Sequence, residues 1–172
     1  GDRMHTVNKS VSIFISVIFV FLTAFGVPQS TRAAGPLCVD PTNTSTCFAT
    51  IQEAVDAAVS GDVINVVAGT YNENVIINTN NISLIGALAM NANDVPNSTI
   101  HTIIDSGAPA VITSAGITIN NGVTGVTIKN LRVQNFSSNS GIYGVGGNNN
   151  LTIDSVHVYS NNTNNAVNGG GI

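Results

Sequence analysis

An internal repeat of 25 residues is the feature that most constrains the fold of this chain. The segment "VTIKNLRVQNFSSNSGIYGVGG", which begins at Val126, aligns with "LTIDSVHVYSNNTNNAVNGGGI", which begins at Leu151. The apolar and glycine positions coincide while the polar ones differ: Ile128 falls on Ile153, Leu131 on Val156, Val133 on Val158, Ile142 on Val167, Gly144 on Gly169 and Gly146 on Gly171. One such coil cannot bury its inner face alone, so stacked coils must do it together. The repeat therefore predicts an all-β fold, a parallel β-solenoid.

Short β-branched runs separated by turn-forming clusters extend this pattern over most of the chain. The expected strands cover residues 63–67, 74–78, 82–85, 99–104, 110–112, 117–119, 126–133 and 151–158. The earlier coils match the repeat less closely, and residues 87–96 are interpreted as an outward loop.

Alternation along each strand predicts which side chains face outwards. Val126, Ile128 and Asn130 share the inner face, and Leu131 and Val133 resume it after a bend. The side chains left outside are Lys129, Arg132 and Gln134 in one coil and Asp154, His157 and Tyr159 in the next. Because neighbouring rungs lie ~4.8 Å apart, we expect Lys129 over Asp154 and Arg132 over His157. Asn130 and Ser155 should form an inward polar pair at the bend.

A single helix is predicted over residues 50–59. Its apolar positions follow the spacing of a one-sided helix: Ile51, Ala54, Val55, Ala58 and Val59. Thr50 followed by Glu53 has the pattern of a capping box, and Gly61 is expected to stop the helix.

The acidic residues around this helix are clustered but suggest structural roles. Glu53 and Asp56 lie in the first helical turns, where the helix dipole favours acids. Asp62 is expected to form the turn before the first strand, and Tyr71 and Glu73 are expected in the turn of the first coil.

The amino-terminal segment has the pattern of a secretory signal peptide. Lys9 precedes an apolar run over residues 11–27 and a small-x-small site that ends at Ala33. We therefore expect residues 1–33 to be a signal peptide with extra leading residues, although an uncleaved anchor remains an alternative. Residues 34–172 would then be the cap and first coils of the solenoid, with further coils after the last residue.

Charge and cysteine content narrow the range of partners and compartments. Residues 34–172 carry eight acidic and two basic residues, a formal charge of −6. Such a chain is a poor partner for nucleic acid or anionic lipid, so no membrane contact is expected after signal cleavage. It would also repel a polyanionic glycan unless a cation bridged them. In an exported protein, Cys38 and Cys47 predict a local disulfide. A metal pair would need further ligands, and a redox pair would normally have C-x-x-C spacing.

The stretch "TIQEAVDAAVSGDVINVVAGTYNENVIINTNNISLIGA", residues 50–87, resembles the start of right-handed parallel β-helix proteins of the pectin lyase-like superfamily, pectinesterases included. This resemblance implies a cap helix that closes the open end of the coil stack. The later coils lack the Gln motif and the paired aspartates with a following Arg that pectinesterases carry. "FSSN" (136–139) and "YSNN…NGGGI" (159–172) instead resemble the repeats of bacterial surface and polymorphic outer-membrane β-helix proteins.

The candidate catalytic residues form one exterior set: Lys129, Arg132, Asp154 and His157. The resemblance suggests a lyase-like reaction, in which a base abstracts a proton and cations or Ca²⁺ stabilise the enolate. One carboxylate is too few for a firm Ca²⁺ site, so no cofactor is expected outside this lyase alternative. A cross-rung salt bridge is the simpler interpretation. His101 and Asp105 have no visible partners in the sequence and are expected at the surface.

Two functions remain open at this point. The first is an exported, extracellular or cell-surface β-helix scaffold that is adhesive or glycan-binding, with a carbohydrate or another cell-surface ligand as its partner and no complete active site in this chain. The second is the amino-terminal part of a carbohydrate-active enzyme, a polysaccharide lyase or carbohydrate esterase, whose catalytic residues lie mostly downstream. Edge-to-edge self-association of a truncated solenoid is a further expectation.

Overall fold

The computed structural model describes residues 33–89, 94–107, 115–136 and 140–161. Within these ranges the chain forms one helix and twelve strands. The helix is α1 (Ile51–Ala57), and the strands are β1 (Pro36–Val39), β2 (Val63–Val66), β3 (Gly69–Asn72), β4 (Val75–Ile77), β5 (Ser83–Ile85), β6 (Thr102–Asp105), β7 (Ile117–Ile119), β8 (Thr127–Lys129), β9 (Leu131–Gln134), β10 (Ile142–Gly144), β11 (Thr152–Asp154) and β12 (His157–Tyr159). The prediction of a mainly β chain with one helix is confirmed.

The strands form three sheets, and every pairing between the named strands is parallel. Sheet 1 has the order β1-β2-β5-β8-β11, sheet 2 the order β3-β6-β9-β12, and sheet 3 the order β4-β7-β10. From β2 onwards the chain visits sheets 1, 2 and 3 in turn, and each visit adds a strand beside the previous one. The predicted offset of 25 residues is confirmed in sheets 1 and 2, where Ile128 pairs with Ile153 and Val133 with Val158.

Alternate side chains from the three sheets fill one apolar core, as the strand pattern predicts. In the predicted inner face, Val126, Ile128, Leu131 and Val133 are all at most 1% exposed. The core also contains the helix residue Ile51 and further aliphatic side chains from β2 to β10. Burial of this continuous face, rather than hydrogen bonding alone, provides the main stabilisation of such short strands.

The corner that precedes β2, β5, β8 and β11 of sheet 1 requires a left-handed backbone. Its equivalent positions in successive rungs are Gly61, Asn81, Gly125 and Asn150, with φ angles of 95, 57, 71 and 56°. Glycine and asparagine adopt this conformation at the lowest cost, which explains why only these two residue types occur there. The turn clusters in the sequence therefore mark the corners between sheets.

Near the amino-terminal end of the described residues, α1 packs against β1, β2 and β4, and Phe48 after the disulfide-closed loop packs against the core. The predicted capping box is present, since Thr50 accepts from the Glu53 amide and Glu53 accepts from the Thr50 amide. The predicted Cys38–Cys47 disulfide is also confirmed. The helix ends earlier than expected, at Ala57, because Ala58 adopts an extended conformation.

Several other predictions need correction. Gly61 does not stop the helix but donates to Asn81 at the corner before β2. Residues 126–133 and 151–158 each form two strands, because Asn130 and Ser155 turn the chain at φ angles of 57 and 55°. Strands β1, β3 and β10 were not predicted, and β6 begins three residues later than expected.

Some expectations fall outside the described residues. They are the signal peptide up to residue 32, the strand at 110–112, part of the loop at 87–96, and the repeat matches at Val167, Gly169 and Gly171. Within the described ranges, no helix has the length and apolar character needed to cross a membrane.

Candidate functional site

The four candidate residues are divided between two sheets. Lys129 and Asp154 are register partners on sheet 1, and Arg132 and His157 are register partners on sheet 2. Both predicted cross-rung pairings are therefore confirmed. The corner that contains Asn130 separates the two pairs, so they face outwards from different sheets.

Lys129 and Asp154 form an exposed ion pair. The Lys129 Nζ atom lies 2.6 Å from Asp154 Oδ2, and the two side chains are 42% and 47% exposed. Hydrogen bonds from Lys129 and then from Ser155 lower the pKa of Asp154 below its ordinary value. A carboxylate held in its ionised form in this way is a weak general base near neutral pH. This pair fits the cross-rung salt bridge proposed from the sequence.

Arg132 is buried, which contradicts the prediction that it lies in solvent on the outer surface. Only 4% of the surface of Arg132 is exposed to solvent. Its register neighbour on β6, Ile103, is also 4% exposed. Burial lowers the pKa of Arg132. The buried Nε atom finds no hydrogen-bond acceptor among the described residues. Alternation correctly places this side chain on the outer side of the sheet, but it cannot predict that this side is covered.

The Arg132 guanidinium contacts two aromatic side chains of the next rung. Its Nη1 atom lies 3.4 Å from His157 Nδ1, and its Cζ atom lies 4.5 Å from the centre of the Tyr159 ring. The rings of His157 and Tyr159 are 6.0 Å apart and tilted by 51°. A guanidinium over a tyrosine ring is a favourable cation–π arrangement. Because Tyr159 is 54% exposed, much of this residue remains open to solvent.

Asp105 and His101 are not the isolated surface residues that the sequence predicts. Asp105 is half-buried and accepts from Gln134, from the Asn135 amide group and from the Gly107 backbone. His101 is 3% exposed, and its Nδ1 atom accepts from the Asn97 backbone at 3.3 Å. Asn97 and Gly107 are local partners in turns, whereas Gln134 and Asn135 lie 29 and 30 residues from Asp105 and reach it only in the folded structure.

We call the outward groups of β6, β9 and β12 the Arg132 face: Asp105, Arg132, Gln134, His157 and Tyr159. The register places Asp105 beside Gln134 and Gln134 beside Tyr159, while Arg132 lies beside His157. The face therefore combines an exposed aromatic ring with amide, carboxylate, imidazole and guanidinium groups. Sequence analysis correctly placed Gln134 and Tyr159 outside with Arg132 and His157, but it did not include Gln134, Tyr159 or Asp105 among the candidate residues.

The acidic residues near the helix act as structural acceptors. Glu73 accepts from the Ile51 and Gln52 amides, both at 2.9 Å, and so satisfies the first two helical N–H groups. Asp62 is fully buried and accepts from the Gly35 and Val59 amides at 2.6 and 2.7 Å. Gly35 lies 27 residues from Asp62 in the sequence, and Ile51 and Gln52 lie 22 and 21 residues from Glu73. Asp62 and Glu73 therefore bind backbone amides far beyond the turns in which they were predicted to lie.

Two further placements differ from the predictions. Tyr71 lies in β3 rather than in a turn, and its hydroxyl donates to the Val67 carbonyl at 3.1 Å. Burial raises the pKa of Tyr71 to about 12. Asn130 and Ser155 occupy the predicted bend but do not form an inward pair, since Asn130 is half-buried and Ser155 is exposed.

The described residues contain no group of three or more His, Cys, Asp or Glu side chains that could hold a metal ion. An open hollow of about 760 Å³ lies beside α1 and is lined partly by Phe48, Glu53 and Asp56. Its two carboxylates already accept from the helix cap and from Gln52. This hollow therefore offers no free acidic pair.

No family model matches the chain, and neither the curated proteins nor the solved structures give a match to it. The three parallel sheets are compatible with a β-helix-like fold.

Proposed function

We propose that this protein is an exported cell-surface or extracellular scaffold that binds glycans, with the three sheets as the faces of a right-handed parallel β-helix. The cyclic visiting order of the strands supports the β-helix, and a right-handed sense is the general rule for crossovers between parallel strands. The Cys38–Cys47 disulfide supports an oxidising compartment. The apolar segment at 11–27 supports export as a signal peptide.

The single observation that carries the binding proposal is the exposed Tyr159 on the Arg132 face. A tyrosine ring offers an apolar surface with a polar tip, and such side chains are enriched at binding surfaces. The guanidinium of Arg132 contacts this ring, which limits the side-chain freedom that a ligand would otherwise have to remove. Gln134 lies beside Tyr159 in the register, and Asp105 lies one rung further on beside Gln134, so both add polar groups to the same face.

Binding is favoured over turnover by the state of the nearby carboxylates. Asp105 accepts three hydrogen-bond donor groups, and Asp154 is paired with Lys129 on another sheet. A lyase-like reaction needs an available base within reach of the same substrate as its stabilising cations. The arrangement instead resembles a pre-ordered recognition surface.

A glycan array followed by titration calorimetry tests this proposal. We expect the unmodified chain to bind at least one glycan without cleaving it. Tyr159→Ala should weaken that binding about tenfold, which corresponds to ~1.4 kcal/mol. Tyr143→Ala is the matched control, because Tyr143 is 44% exposed but lies on sheet 3. Cleavage of pectin or alginate, or equal binding by the two variants, would contradict the proposal.

A further inference from the structure

A second concave surface lies at the corner between sheets 1 and 2, away from the outward side chains of the Arg132 face. It is an open groove of about 500 Å³, within the size range of ligand sites. The lining residues that matter here are Asn65, Val67, Ala68, Ile85, Ala87 and Asn130.

The groove runs across the strands rather than along one of them. Asn65 pairs with Ile85, and Ile85 pairs with Lys129, the residue before Asn130. Asn65 and Asn130 thus belong to rungs two steps apart, a separation of ~10 Å. This separation is close to the length of a disaccharide.

The corner is closely packed at the middle rung. A Cβ atom on Gly86 would lie 2.1 Å from the Asn130 carbonyl oxygen and 2.9 Å from the Thr102 Cβ atom. A glycine is therefore required for the backbones to approach this closely. The side chains beside it are small, so no large residue fills the groove from Ala68 or Ala87.

The lining combines aliphatic and amide groups and carries no ionisable side chain. Val67 is 38% exposed and Ile85 is half-buried, while the Asn65 side chain is in solvent. Cys38 also lines the groove, but it has no free thiol to ionise because it forms the disulfide with Cys47. An uncharged, half-apolar lining fits a sugar ring, which presents C–H groups on one side and hydroxyls at its edges.

We propose that this corner groove binds a neutral oligosaccharide that spans the Asn65 and Asn130 rungs. The inference rests on the proposed glycan-binding function and adds a second site with its own ligand class. A neutral ligand is favoured because residues 34–172 carry a formal charge of −6, and the cation beside Ile85 in the register, Lys129, is already paired with Asp154.

The test is calorimetric titration with neutral oligosaccharides of three or four sugars from β-glucan, xylan and galactan, with oligogalacturonate as the acidic comparison. Ala87→Phe should fill the groove and weaken neutral binding at least tenfold. Ala89→Phe is the matched control, because Ala89 is also exposed in the same loop but does not line the groove. Asn65→Ala provides a second variant that removes one amide without adding bulk, and it should also weaken binding.

The outcomes separate this inference from the proposed function. Loss of neutral binding in Ala87→Phe and Asn65→Ala, with retention in Ala89→Phe and Tyr159→Ala, would support the groove. Neutral binding that survives both groove variants but is lost in Tyr159→Ala would overturn the groove and leave the proposed function intact. Binding of oligogalacturonate alone would also overturn it. An unmodified chain that binds no glycan would refute the proposed function, and this inference with it.

Discussion

Replacement of Gln52 by leucine tests how the edge of sheet 3 is closed. β4 is the last strand of this sheet, and the backbone of Ile76 faces away from β7. The Gln52 side chain accepts from the Ile76 amide at 2.7 Å and donates to the Ile76 carbonyl at 3.2 Å. The Gln52 carboxamide thus makes the two hydrogen bonds to Ile76 that the backbone of a further strand would make. Such closure protects a sheet edge from pairing with another chain.

The expected cost follows from the bonds that leucine cannot make. Each of the two bonds to Ile76 contributes about 1 kcal/mol net. Ile76 is 37% exposed, so water can reach the released groups and the full desolvation penalty does not apply. Leucine has a helix propensity close to that of glutamine, so α1 itself is not weakened. We therefore expect a loss of about 2 kcal/mol, or a decrease in Tm of about 4–8 °C.

Thermal unfolding followed by circular dichroism measures this loss, and hydrogen exchange at the Ile76 amide locates it. Asp56→Ala is the control, because it removes only the bond from Gln52 Nε2 to Asp56 Oδ1. An exposed i, i+4 bond of this kind contributes about 0.2–0.5 kcal/mol. If Gln52→Leu changed neither the Tm nor the exchange of the Ile76 amide, the idea that the carboxamide closes the edge would be wrong.

Three further predictions address a tyrosine, a glycine and the ion pair. Tyr71 has a pKa of about 12 in the folded protein and about 10 when unfolded, so the unfolded chain releases its proton first as pH rises. The free energy of unfolding should be constant below pH ~10 and fall by up to ~1.4 kcal/mol per pH unit towards pH 12. Urea unfolding at pH 9 and 11 measures this decrease. Tyr71→Phe should abolish the decrease. Gly86→Ala should lower the free energy of unfolding in urea by about 3 kcal/mol, because the new Cβ would clash with backbone atoms. Gly35→Ala should be neutral, since no atom lies within 4 Å of the Cβ position there. Equal effects of the two substitutions would refute the packing argument. Lys129→Met should raise the pKa of Asp154 towards its ordinary value in a carbon-13 NMR titration, and an unchanged titration would show that the ion pair does not hold the carboxylate ionised.

The sequence predicts the repeating part of the fold well because that part depends on local periodicity. The 25-residue offset correctly pairs Ile128 with Ile153 and Val133 with Val158. It is a poor guide to the earlier rungs, since Thr102 pairs with Leu131, 29 residues away, and Ser83 pairs with Thr127, 44 residues away. Loops of different length between sheets change the offset without changing the stacking. For this reason β3 could not be assigned by alignment to the later coils.

The roles of Gln52 and Glu73 illustrate a second limit of sequence reasoning. Both residues lie in a stretch where the capping box of Thr50 and Glu53 was correctly predicted. Glu73 nevertheless completes the same helix cap from 21 and 22 residues away. Local patterns identify acceptors that lie one helical turn from their donors. They do not identify acceptors that the winding of the chain brings back to the helix.

The candidate site shows how one corner residue changes a functional interpretation. Parity and register together predict that Lys129, Arg132, Asp154 and His157 all lie outside, and they suggest one exterior cluster. The left-handed turn at Asn130 redirects the chain between β8 and β9. Lys129 and Asp154 therefore remain on sheet 1, while Arg132 and His157 belong to sheet 2 with Tyr159. A base and its supporting cations must act on one substrate, so this separation weakens the case for catalysis by the four residues.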